Sequence, residues 1–93
     1  MNEEEKQIAI LTVLGRRLLE QRLPMLLRIQ ARLVLGEVLS DYDIRFLKEV
    51  FTDTQNNMPL LDQHPEFQSL SVSIMYLYKE IMQRAAENEN SRK

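Results

Sequence analysis

Apolar residues in the first third of the chain fall at Ile8, Leu11, Leu14, Leu18, Leu19, Met25, Leu26, Ile29 and Leu33, at three- and four-residue steps. That interval lays them along one stripe of a helix. Asn2 with Glu5 three residues on fits an N-cap, and Glu3 and Glu4 fill a first turn where the positive end of the helix dipole favours carboxylates. Gly36 follows the last of the pattern and suits the left-handed position just past a helix end. The spacing predicts a first helix over about residues 3–35, roughly 50 Å long at about 1.5 Å per residue. Pro24 interrupts it. Arg22 and Leu23 ahead of the proline are poor caps, so a kink within one helix is expected rather than a stop and restart.

The next boundary is sharper. In "LSDYDI", Ser40 is an N-cap with Asp43 at the third helical position, a capping box, and Leu39 and Ile44 are placed for a hydrophobic staple. A second helix is predicted from Asp41 to about Gln55, burying Ile44, Leu47, Val50 and Phe51 and ending at Asn56 and Asn57. Residues 56–65 read as a connection. A third helix is predicted over about 65–88, with Pro65 in its first turn and Phe67, Leu70, Ile74, Leu77 and Ile81 spaced 3, 4, 3, 4. Residues 89–93 read as a fraying tail.

The third helix carries more apolar surface than one stripe needs. Eight of the eleven residues from Val72 to Met82 are apolar or aromatic, and a helix apolar on several faces is normally enclosed by neighbours. Val72, Met75, Tyr76, Tyr78 and Met82 are therefore the candidate partner interface. The expected fold is an all-α, three-helix antiparallel bundle, one domain over residues 1–93, with a long kinked first helix, completed by homo-oligomerisation and most simply by a twofold dimer.

Composition narrows the function. Two glycines and three prolines among 93 residues are too few for the turns of an all-β chain. The chain has no cysteine, which excludes disulfides, thiolate catalysis and zinc–thiolate sites. The start "MNEEEK" is acidic, unlike a signal peptide, and no uncharged apolar run approaches about 18 residues, so a cytoplasmic protein with no membrane span is expected.

The net charge of −2 is unevenly spread: −3 over residues 1–5, +5 over 6–36 and −4 over 37–93. The simplest consequence is pairing between the basic first half and the acidic second, within or between chains. Arg17, Arg28 and Arg32 form the alternative, a face for an anionic partner. Without an aromatic on that helix, and at an isoelectric point near 5.4, nucleic-acid binding is the lesser reading.

Catalytic signals are weak. His64, the single histidine, sits in "DQHPEF" and reads as a cap or a surface residue. Asp41 and Asp43 are explained by the helix start. The stretch from Asp53 to Asp62 fails as a calcium loop, with Met58 where glycine is needed and His64 where the bidentate glutamate belongs. Ser69, Ser71 and Ser73 do not share a helix face. The five methionines fill a core or form an adaptable groove. No catalytic residue, cofactor, metal or small-molecule substrate is assigned. A non-enzymatic protein–protein interaction role, as an adaptor, structural or regulatory protein, is expected, with nucleic-acid association as the alternative.

Overall fold

The computed structural model describes residues 1–92, most of them helical and none in a strand. Asn2 accepts a hydrogen bond from the Glu5 N–H at 2.8 Å and opens α1, Glu3–Arg17. A π turn, Leu18–Arg22, leads without a break into α2, Leu23–Val34. The proline expected to kink this rod is accommodated by the wide turn before it. Pro24 has no N–H to donate and its ring crowds the preceding turn. The backbone loosens ahead of it so that the Leu23 N–H reaches the Leu18 carbonyl, five residues back. Arg22 falls on the apolar stripe of a continuous helix, and in the structure its side chain is largely buried and pairs with Asp53, while Leu19 is half out in solvent.

α2 ends as the glycine requires. Gly36 has φ +92°, and the Gly36 and Glu37 N–H groups donate to the Leu33 and Arg32 carbonyls at 3.0 and 3.2 Å. Ser40 then caps α3, Asp41–Asp62, with both halves of the box formed: the Asp43 N–H donates to Ser40 Oγ and the Ser40 N–H to Asp43 Oδ2, each at 3.0 Å.

α3 does not stop at Gln55. It runs through Asn56 and Asn57 and carries Pro59 inside it. The asparagines join the helix, and the Asn57 amide donates to the Asp53 carbonyl one turn back at 2.7 Å. Pro59 and Gln55 are both exposed, so water can serve the carbonyl that the proline leaves without a donor. Half-buried Leu60 and Leu61 give the following turn something to pack.

Pro65 opens a single 3₁₀ turn, Pro65–Phe67, and not the last helix itself. α4, Gln68–Arg92, follows and continues through the residues expected to fray; Lys93 lies outside the described residues.

The core joins Leu26, Ile29 and Leu33 of α2, Leu47 and Val50 of α3, and Ile74, Ile81 and Ala85 of α4. Two residues assigned to the core of α3 lie at its edge, with Ile44 39% and Phe51 38% exposed. Asp43 and Thr54 occupy the buried face with Leu47 and Val50, because Arg32 draws Asp43 inward. The molecule measures 55 × 20 × 18 Å.

Candidate interaction surface and an adjoining cavity

Polar side chains hold the helices in register. Arg32 donates to Asp43 Oδ1 at 2.7 Å, and Arg22 pairs with Asp53. The Asn88 amide bridges the Leu33 and Glu37 carbonyls, 2.8 Å from each, so α4 closes the end of α2. Gln30 donates to Glu80 at 3.0 Å. The Arg32 hydrogen bond is the largest influence on the Asp43 carboxyl and lowers it below the usual carboxylate range. Burial opposes that shift, and the Ser40 N–H and hydroxyl reinforce it. The same bond raises Arg32.

These contacts redistribute the arginine face. Arg32 is engaged by Asp43, Arg17 lies beside a cavity on α1, and Arg28 is exposed on α2. His64 stands at the N-cap position of the 3₁₀ turn, as its sequence context allowed, but is not a surface residue. It is 5% exposed, with Nε2 2.9 Å from Gln7 Oε1 and Nδ1 3.5 Å from Glu66. It ties the start of α1 to the turn between α3 and α4. No His64 side-chain cap is formed, because the ring is turned toward α1. Among the described residues no three His, Cys, Asp or Glu side chains gather as a metal site, and no helix is long and apolar enough to cross a membrane.

The five interface candidates of α4 divide. Val72 and Tyr76 point outward, 56% and 75% exposed. Met75, Tyr78 and Met82 share another face at three- and four-residue steps. Tyr78 packs on Phe51 of α3, ring centroids 5.5 Å apart. That contact brings in residues the sequence reading assigned elsewhere. Ile44, Phe51 and Met58 recur at seven-residue intervals along α3 and are each 38–39% exposed. The Phe51–Tyr78 contact joins this face of α3 to the α4 face of Met75, Tyr78 and Met82, and together they are a candidate apolar seam. The seven-residue spacing was its signal, hidden by ending the helix before Met58.

A different feature lies at the other end. A cavity of about 50 Å³ sits between α1, α3 and the start of α4, walled by Leu11, Leu14, Leu18, Leu61 and Leu70. Arg17 and the Arg22–Asp53 pair also border it. An open groove of about 460 Å³ shares the wall at Leu11, Gly15, Phe67 and Leu70. Gly15 stands inside a helix, where glycine costs about 1 kcal/mol relative to alanine. Its φ is not positive, and a Cβ there would lie 3.6 Å from Leu70 Cδ2, an ordinary contact. Neither conformation nor crowding demands glycine.

No family model, curated protein or solved structure matches this chain.

Proposed function

We propose that this chain is a non-enzymatic protein–protein interaction module that works as a homodimer. In this reading its helices form an antiparallel bundle that a second copy completes along the seam between α3 and α4. The seam itself carries the proposal: among the described residues α3 leaves Ile44, Phe51 and Met58 exposed, and α4, joined to it at Phe51–Tyr78, carries exposed Met82 and half-buried Met75. The antiparallel path is supported by the order of the ties, since Gln7, Arg22 and Arg32 meet His64, Asp53 and Asp43.

Surface area favours a second copy. The chain exposes 6498 Å², whereas a monomer of 11.0 kDa exposes about 5600 Å² by the usual scaling. The excess of roughly 900 Å² is close to what one partner contributes to a standard interface, about 800 Å². A cytoplasmic setting belongs to the same reading, for a cysteine-free chain whose fold needs no disulfide.

The test is Met75→Glu with Met82→Glu, followed by light scattering after size exclusion. The seam variant elutes as a helical monomer, whereas Leu27→Glu, on the exposed side of α2, leaves the dimer intact. A seam variant that stays dimeric overturns the interface. Submicromolar, salt-sensitive nucleic-acid binding lost in Arg17→Glu with Arg28→Glu would replace the reading by the alternative one, since phosphate contacts weaken steeply with salt.

A further inference from the structure

We propose that the cavity beside Gly15 is a binding site for a small amphipathic carboxylate, with the apolar tail in the cavity and the carboxylate on Arg17. Two features meet there, the cavity and a glycine in its wall. Gly15 lines the cavity, and a Cβ there would meet Leu70 Cδ2 at 3.6 Å, an ordinary contact, so no crowding requires the glycine. The glycine weakens α1 without any demand from the backbone. The π turn that accommodates Pro24 begins three residues later and supplies Leu18 and Arg22 to the same wall.

The ligand class follows from the walls. A cavity of about 50 Å³ accepts about three or four waters, and hence an alkyl tail of about four carbons. Of the charged groups on that wall, Arg22 and Asp53 neutralise each other, and Arg17 forms no ion pair among the described residues. A monoanionic head is what the remaining guanidinium accepts, with carboxylate matching its planar fork. Longer tails extend into the open groove past Phe67. The site lies between α1, α3 and the start of α4, and none of the seam residues lines it, so it stands whether or not the chain dimerises.

The experiment is an amide NMR titration of the ¹⁵N-labelled full chain with hexanoate and, in parallel, hexan-1-ol. Both probes are expected to shift the Gly15 and Leu70 amides saturably. Arg17→Gln weakens hexanoate about tenfold, the loss of one charge-assisted contact, and leaves hexanol unchanged. Gly15→Ala, a better helix former that keeps the fold, weakens both probes. Absence of saturable shifts at these amides overturns the site. Hexanol binding without hexanoate binding, or equal hexanoate affinity in Arg17→Gln, overturns the carboxylate assignment. Equal affinities in Gly15→Ala overturn the cavity as the seat of the tail.

Discussion

The two halves of the first rod are built to different standards. α2 buries Leu26, Ile29 and Leu33 within twelve residues, whereas α1 fully buries Leu11 alone within fifteen. Around α2 the facing residues are Leu47, Val50, Ile74 and Ile81, and the end is closed by the Gly36 turn and the Asn88 amide. Around α1 the neighbours leave a cavity, and the end is closed by a polar contact between Gln7 and His64. The π turn marks the division. Stability therefore resides mainly at the α2 end, and the α1 end retains the space and looseness that binding uses.

The largest effect that separates the halves is core truncation. Leu26→Ala removes a fully buried side chain from the dense half and costs about 4 kcal/mol, while Leu14→Ala, half-buried beside existing space, costs about 1 kcal/mol. Urea denaturation measures both. Equal costs would erase the distinction.

Next comes the Arg32–Asp43 pair, which anchors α3 to the dense half. Arg32→Ala costs about 2 kcal/mol, because the buried carboxylate keeps the Ser40 N–H but loses its charged partner. Its pH dependence has a definite sign. The folded Asp43 carboxyl is held below its ordinary value, so its contribution is complete above an unfolded value of about 3.9. It is lost as pH falls through the depressed folded value. Asp43→Asn flattens that part of the acid limb of a stability–pH curve; an unchanged limb means the pair does not govern it.

Most of the helical architecture was legible because local chemistry decided it. Asn2, the Ser40–Asp43 box and Gly36 act through groups within a few residues, and each does in the structure what its position implies. The misreadings share one cause: partners distant in sequence. Asn56 and Asn57 read as a helix end, but Leu60 and Leu61 pack and carry α3 onward across Pro59. His64 holds the cap position it was read for but is no surface residue, since Gln7, on another helix, holds its ring. Arg22, by contrast, stands on the apolar stripe where a continuous wheel places it, paired there with Asp53. The candidate seam was half legible: Met75, Tyr78 and Met82 were visible on α4, while Ile44 and Phe51 were taken for core.

Two smaller substitutions refine the contrast with opposite signs. Ser40→Ala removes the α3 cap and lowers stability by about 1 kcal/mol. Gly15→Ala raises stability by up to about 1 kcal/mol, since the new methyl enters the cavity wall. Thermal melts compare them directly. A loss of stability in Gly15→Ala would mean that the loose half is packed more tightly than its cavity implies.

The central claim is that this small, elongated fold is completed by a second copy of itself along α3 and α4. Sedimentation equilibrium of the unmodified chain at micromolar concentration tests it most directly. The account predicts a species of twice the 11.0 kDa chain mass that returns to one chain in Met75→Glu with Met82→Glu. A single species of 11.0 kDa throughout the micromolar range for the unmodified chain contradicts it.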